Sequence, residues 1–173
     1  MKKLAVFFIC IFVFTTIGFS QTEMGPEAQR AFGKGANDYM IGGRYETFHG
    51  KNSWSIGLTY NFSSHKSYSE HKGIGFYIGY RHGFNYNNSG NGNAFFGFRG
   101  TFLFNNFSGK ERLNSTSVMP TCEAGYQVLF GNHFYTTPAI GYGYSIKLSK
   151  DYNSLQEDDG GRFIPGISMG YRF

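Results

Sequence analysis

Two sets of polar side chains have the residue types that metal binding or hydrolysis uses. Imidazole and carboxylate groups bind Zn²⁺, carboxylate oxygens bind Ca²⁺, and a Ser–His–Glu set can activate a serine nucleophile. Flexible polar loops bring such residues together by chance, and the acidic set lacks EF-hand spacing, so we predict neither catalysis nor a metal site. The two sets are His65, Ser67, Glu70 and His71, and Asp151, Glu157, Asp158 and Asp159.

A third set of charged residues stands at alternate positions between apolar or aromatic neighbours. A period of two is typical of an extended strand, whose successive side chains point to opposite faces. We therefore expect these charges to share one face of a sheet, opposite an apolar face. They are Arg44, Glu46, Arg81, Arg99, Glu123, Lys147, Arg162 and Arg172.

The same alternation defines seven strands. It is clearest at the C-terminal end, where Phe163, Ile167, Tyr171 and Phe173 alternate with small or polar residues. Each segment has about 11 residues or more, enough to cross a bilayer at the tilt of a barrel strand. The predicted strands are 37–48, 53–63, 73–84, 94–105, 117–130, 133–148 and 163–173.

An even strand number is the rule for bacterial barrels, and it requires an eighth strand. The remaining candidate is the segment 23–34, in which Pro26, Glu27 and Ala28 make a poor strand. A short helix there is the alternative, and a misread hairpin elsewhere would also restore an even count. We predict an all-β, antiparallel, up-and-down transmembrane barrel of eight strands, with a weak first strand.

The connections between the predicted strands differ in length and charge. The charged, longer segments are expected outside the cell and the short Gly/Asn/Ser segments on the periplasmic side. The predicted outer loops are 64–72, 106–116 and 149–161, and the predicted inner turns are 49–52, 85–93 and 131–132.

Residues 1–20 have the pattern of a cleaved secretory signal peptide. Lys2 and Lys3 precede an apolar run over 4–14, and Gly18 and Ser20 are small residues suited to cleavage. A membrane anchor is the alternative, although the run is short for one. The predicted organisation is a signal peptide over 1–20, an N-terminal segment or weak first strand over 21–36, and the barrel over 37–173.

The composition excludes some function classes. Gly (25), Phe (20) and Tyr (13) are abundant, and the mean hydropathy is −0.33, as expected for a barrel with a weak signal per segment. Without Lys2 and Lys3 the net charge falls from +5 to +3, too little to indicate nucleic-acid binding. Only Cys122 remains after cleavage, so no intramolecular disulfide is expected.

The signal peptide, the alternating strands and the terminal Phe173 together resemble the small outer-membrane β-barrels of Gram-negative bacteria, the OmpA/OmpX type. The resemblance implies location in the outer membrane, a monomeric state, and periplasmic chaperones and the barrel-assembly machinery as partners during biogenesis. It also implies that Tyr171 and Phe173 occupy the aromatic positions of the assembly signal.

An eight-stranded barrel has an interior just wide enough for side chains to fill. Because an isolated buried charge is very costly, the inward charges must pair. We predict a network of Glu123 with Arg81 and Arg99, joined by Arg44 and Glu46, that fills the lumen. A gated ion path is the alternative.

Basic residues of the predicted outer loops form a rim that could meet lipopolysaccharide phosphates as point charges. The alternative is that they only keep the loops soluble. The rim is Lys66, Lys72, Lys110, Arg112, Lys147 and Lys150.

Aromatic residues are expected to ring the periplasmic interface of the barrel. This predicted girdle is Tyr45, Trp54, Phe84, Phe130, Phe134, Tyr171 and Phe173.

The function we predict is structural or surface interaction in the cell envelope, without catalysis and without a cofactor. A narrow pore or transport accessory is the alternative. A lipid-modifying enzyme is the third possibility, since such enzymes exist on the fold that the chain resembles.

Overall fold

A computed structural model describes residues 21–33, 36–63, 71–84, 92–108, 112–148 and 160–173. The predicted signal peptide and most of the predicted loops lie outside these ranges. The described residues form eight strands: β1 (Gln21–Gly33), β2 (Ala36–His49), β3 (Asn52–Ser63), β4 (His71–Gly83), β5 (Gly92–Ser108), β6 (Arg112–Phe130), β7 (Phe134–Lys147) and β8 (Gly160–Arg172).

The strands form one closed barrel in which each strand pairs antiparallel with the next in sequence. Pairing of β1 with β8 closes it. The predicted all-β, eight-stranded up-and-down barrel is confirmed. The turns after β2 and β6 lie at the same end as Gln21 and Phe173, and we call this the turn end and the opposite one the loop end. No helix among the described residues is long and apolar enough to cross a membrane.

β1 is a full strand of 13 residues and not a short helix. Glu23, Glu27 and Ala31 are buried inside the barrel, whereas Met24 and Phe32 lie on the outer face. Ala28 and its charged neighbours favoured the helix alternative. Pairing with a strand on both sides outweighs such local preferences. Gln21–Gly33 is therefore the first strand of the described barrel.

The predicted outer loop 106–116 is wrong in extent. β5 continues to Ser108 and β6 begins at Arg112, so the ladder between them runs unbroken to the pair Ser108↔Arg112. Asn and Ser in this hairpin are typical of loops, but cross-strand pairing overrides that preference. Smaller corrections apply elsewhere, because residues 71–72, 92–93 and 160–161 of the predicted connections belong to strands.

The seam between β1 and β8 has a close backbone approach. A Cβ atom at Gly25 would lie 1.9 Å from the carbonyl oxygen of Met169, and one at Gly170 would lie 2.1 Å from that of Met24. Only glycine fits at both positions. The turns also use glycine, since Gly50 and Gly131 have φ of 60° and 64°, in the left-handed region.

The outer surface of the barrel is apolar. On every strand the outward positions carry large exposed hydrophobic side chains, of which Leu58 is 68% exposed. Exposed apolar area on this scale is typical of a surface that is covered by lipid or by another molecule. The members with at least half of their area exposed include Trp54, Ile56, Leu58, Ile74, Ile78, Phe98, Phe104, Ile140, Tyr142 and Met169.

Most of the predicted aromatic girdle lies at the turn end. Phe134 pairs with Tyr171 across β7 and β8, and their rings meet edge to face at 5.5 Å. Tyr45 lies farther from this end, opposite Met24 and Ile56. Exposed at the turn end are Trp54, Phe84, Phe130, Phe134, Tyr171 and Phe173.

Candidate functional site in the barrel interior

Six buried charged side chains form a closed ring across the barrel interior. Three carboxylates alternate with three guanidinium groups, so the ring carries no net charge. Five strands contribute to it, and every member is at least 93% buried. In order around it, this charge ring is Glu27 (β1), Arg44 (β2), Glu46 (β2), Arg81 (β4), Glu123 (β6) and Arg99 (β5).

One half of the charge ring has short contacts. Arg81 Nε donates to Glu123 Oε1 at 2.6 Å, and Arg99 Nη2 lies 3.0 Å from Glu123 Oε2. The same Arg99 Nη2 donates to Glu27 Oε1 at 2.8 Å. Arg99 therefore bridges two carboxylates from strands on either side of the lumen.

The other half is centred on Arg44. Its Nη2 lies 2.7 Å from Glu46 Oε2, and its Nη1 lies 3.5 Å from Glu27 Oε1. Arg81 Nη1, at 3.6 Å from Glu46 Oε2, closes the circuit. Since burying an ion costs several kcal/mol, this closed pairing is what allows six charges to remain inside the barrel.

Neighbouring groups complete the coordination of the carboxylates. The Tyr77 hydroxyl donates to Glu27 Oε2 at 2.5 Å, and the Ser53 hydroxyl donates to Glu46 Oε1 at 2.5 Å. The Arg99 guanidinium also lies 4.2 Å from the centre of the Tyr77 ring. Such cation–π contacts add to the ion pairs and fix the planes of the arginines.

Inward glycines make room for the large side chains. A Cβ atom at Gly57 would lie 2.4 Å from the Tyr77 ring, and one at Gly97 would lie 2.8 Å from Arg81 Cγ. These two glycines therefore leave room for Arg81 of the charge ring and for Tyr77 beside it.

A separate ion pair lies toward the turn end. Arg172 Nε donates to Glu23 Oε1 at 2.8 Å, and Gln127 Nε2 donates to Glu23 Oε2 at 2.7 Å. This pair joins the first strand to the last across the seam. Glu23 is also the cross-strand partner of Glu46, so polar side chains continue from the charge ring to the turn end.

An apolar layer covers the charge ring toward the loop end. Its members come from five strands and are all less than 7% exposed. These side chains pack in the barrel interior above the ring, beside buried polar side chains such as Asn105 and Ser117. The apolar layer is Ala31, Met40, Leu103, Met119 and Ile164.

The cavities next to these layers are small. One cavity, beside Glu27 and Glu123, has a volume of about 10 Å³. Another, beside Met40 and Arg162, has a volume of about 20 Å³. Each volume is about that of a single water molecule. Around these cavities, the described part of the interior is packed like a protein core.

The hydrogen bond from Tyr77 to Glu27 yields a test of the interior. We expect Tyr77→Phe to lower the free energy of unfolding by about 1.5–3 kcal/mol, because a bond to a buried charge is lost. Tyr135→Phe is the matched control: Tyr135 is also buried, but its hydroxyl has no hydrogen-bond partner among the described residues. Equal effects of the two changes in urea unfolding would contradict the assigned bond.

The structure places the five residues of the predicted lumen network together. Arg81, Arg99 and Glu123 are in direct contact, and Arg44 and Glu46 belong to the same circuit. Of the other predicted inward charges, Arg162 is buried toward the loop end and Arg172 pairs with Glu23.

Sequence reasoning missed two carboxylates, Glu27 and Glu23, because β1 was judged a weak strand. Their signal is present in the alternation of Glu23, Glu27 and Ala31 with Met24 and Phe32.

The predicted basic rim is described only in part. Lys72 is an exposed residue of β4, facing outward at the loop end, and Lys147 faces inward and is half-buried. Arg112 begins β6, but its side chain is not among those described. Outside the described residues lie Lys66, Lys110 and Lys150, together with His65, Ser67, Glu70, Asp151 and 157–159. Among the described residues, no group of three or more His, Cys, Asp or Glu side chains is placed to hold a metal.

Comparison with known proteins identifies the fold. No protein-family model and no curated protein matches the sequence. Among solved structures, the N-terminal β-barrel domain of Pseudomonas aeruginosa OprF matches with a TM-score of 0.63 and 13% identity, covering 90% of this chain and 98% of that one. Neisserial surface protein A (NspA) matches with a TM-score of 0.62 and 12% identity, covering 88% and 94%. Ail, the attachment invasion locus protein of Yersinia pestis, matches with 0.53 and 15%, covering 88% and 98%. The chain therefore has the fold of the eight-stranded outer-membrane barrels.

Proposed function

We propose that this protein is a closed, non-enzymatic β-barrel of the bacterial outer membrane, with a structural or surface-interaction role in the cell envelope. The observation that carries the proposal is the filled interior. The charge ring and the apolar layer occupy the lumen with protein side chains, so the surfaces left for function are the outer face and the loop end.

The apolar outer face supports the membrane location. A closed barrel satisfies every backbone hydrogen bond between strands, which is the condition for a β structure to cross a bilayer. Aromatic side chains at the turn end match the belts found at membrane interfaces. Residues 1–20 would direct export and then be removed.

The fold neighbours support a role at the cell surface. NspA is named as a surface protein and Ail as an attachment protein. For this chain we propose only the general class of role that these two share, at the cell surface. During biogenesis the proposed partners are periplasmic chaperones and the barrel-assembly machinery. Tyr171 and Phe173, whose rings contact each other at the turn end, would form the assembly signal.

Conductance in planar bilayers tests the closed lumen. We expect protein purified from outer membranes to insert, to show the gel shift on heating that folded barrels give, and to produce no steady current. A porin in the same membrane provides the positive control. Stable channels of a single size would instead favour the narrow pore or transport accessory.

Lipid analysis tests the absence of catalysis. We expect outer-membrane lipids from cells with and without the protein to have the same acyl chains and phosphate groups. A modified lipid that appears only with the protein would overturn the non-enzymatic role, because an enzyme must leave a chemical product.

A further inference from the structure

The outer face of the barrel carries charge in one cross-strand row. Among the outward strand positions whose side chains the structure describes, two are charged, Arg30 on β1 and Lys72 on β4, and both are basic. The described acidic side chains point into the barrel. The outer face therefore offers an anion two cations and no carboxylate from its described part.

The two cations lie in one cross-strand row. Arg30 pairs with Tyr39, Tyr39 with Phe62, and Phe62 with Lys72, so four adjacent strands contribute one residue each. With strands about 4.8 Å apart, Arg30 and Lys72 are separated by roughly 14 Å along the sheet. We call these four residues the basic row.

The centre of the basic row is aromatic and ordered. The rings of Tyr39 and Phe62 stack at 5.6 Å with an angle of 14°. The Arg30 guanidinium lies 4.3 Å from the centre of Phe32 and 4.7 Å from that of Tyr39, and its Nε donates to Asn37 Oδ1 at 2.8 Å. These contacts hold Arg30 in place before any ligand arrives. Aromatic rows of this kind mark the level at which a membrane meets water.

An apolar groove lies on the same four strands, closer to the middle of the barrel. At its floor Gly43 has no side chain, and a Cβ atom there would meet nothing within 4 Å. Gly43 is four residues from Tyr39, so the groove lies roughly 13 Å along the strand from the basic row. Outward side chains that line the groove are Met24, Tyr45, Ile56, Leu58, Phe76 and Ile78.

From the basic row and the groove beneath it, we propose that β1–β4 bind one lipopolysaccharide molecule, with its phosphates at Arg30 and Lys72 and an acyl chain over Gly43. The proposal rests on the proposed outer-membrane location, which places the loop end in the outer leaflet. A lipid with two phosphate groups on a sugar headgroup fits two separated cations, whereas a single-phosphate lipid can engage one. The apolar groove fits an acyl chain that descends from that headgroup.

Titration with defined lipids tests the site. The protein is purified from outer membranes in mild detergent, delipidated, and titrated with diphosphorylated lipid A while native mass spectrometry counts bound molecules. We expect one tight site per barrel. Arg30→Ala and Lys72→Ala should each weaken binding about tenfold, the loss of one charge-assisted contact. Gly43→Leu, which fills the groove, should weaken binding severalfold.

Matched controls separate this site from general attraction to lipid. Lys51→Ala removes an exposed cation at the turn end and should leave binding unchanged. Dephosphorylated lipid A and phosphatidylglycerol should bind at least tenfold more weakly than diphosphorylated lipid A. Equal binding of all three lipids, or no effect of Arg30→Ala and Lys72→Ala, would overturn the proposal.

The result is distinguishable from failure of the proposed function. Membrane fractionation and the heat-dependent gel shift report location and folding for each variant without lipid titration. A protein found outside the outer membrane would refute the proposed function. Correct location and folding with unaltered lipid affinity in the variants would refute only the lipid site.

Discussion

Glu123→Ala is expected to destabilise the barrel by about 3–5 kcal/mol, the largest effect of any single change considered. Glu123 accepts from Arg81 at 2.6 Å and contacts Arg99 at 3.0 Å. Removing this carboxylate deprives the buried guanidinium groups of Arg81 and Arg99 of a partner. The cavity that it leaves holds too little water to solvate them. The measurement is urea unfolding in lipid vesicles, followed by the fluorescence of Trp54, the single tryptophan of the chain.

Two further variants distinguish loss of a charge from loss of packing. Glu123→Gln keeps an acceptor and the side-chain volume, so its cost should be smaller. Replacing Glu123 and Arg81 together by Met removes one whole pair and should cost less than Glu123→Ala alone, because no uncompensated arginine remains at that contact. An unchanged unfolding midpoint in Glu123→Ala would show that the charge ring does not stabilise the barrel.

Leu58→Arg is expected to cost about 2–4 kcal/mol when the barrel is folded in a bilayer. Leu58 lies near the middle of β3 on the outer face and is 68% exposed, so the new charge would sit at the depth of the acyl chains. Phe134→Arg is the matched control. It also replaces an exposed apolar residue by Arg, but at the turn end, where the expected cost is about 0–1 kcal/mol.

Chemical labelling checks the same surface independently. With Cys122 replaced by Ser, a Leu58→Cys variant presents a single thiol on the outer face. We expect no reaction with a water-soluble maleimide in vesicles and full reaction after unfolding. Rapid labelling of the folded protein would show that this face meets water and would remove the basis of the membrane assignment.

Alternation alone was enough to predict seven strands and the side on which their charges lie. It failed for β1, whose outer face holds Pro26, Ala28 and Arg30 in place of large apolar residues. Contacts on both sides, from β2 and β8, supply the missing preference for an extended chain. A sequence read one segment at a time does not contain that information.

The excess of basic residues in the predicted inward set also indicated that β1 is a strand. The predicted inward set has six basic residues against two acidic ones, Glu46 and Glu123. Since buried charges must pair, the deficit of carboxylates indicates that another strand supplies them. Glu23 and Glu27 are those carboxylates. Which arginine each one meets depends on the stagger of the closed barrel, as for Glu27 and Arg99, which are 72 residues apart.

The basic row was missed for a related reason. Arg30 stands on the outer face of a strand that the sequence predicts only weakly, and its alignment with Lys72 follows only from the registers of three strand pairs. The predicted rim was assembled from loop residues, most of which lie outside the described part of the chain.

The pairing of β1 with β8 also determines when the barrel can close. β1 is synthesised before β8, so β1 lacks one of its two neighbours until β8 has been made. An exposed strand edge is a template for association with other chains, and closure is what abolishes it. The closed barrel has no edge, whereas the growing chain has one until β8 is available to pair with β1. Its greatest risk of aggregation therefore falls in the interval before closure.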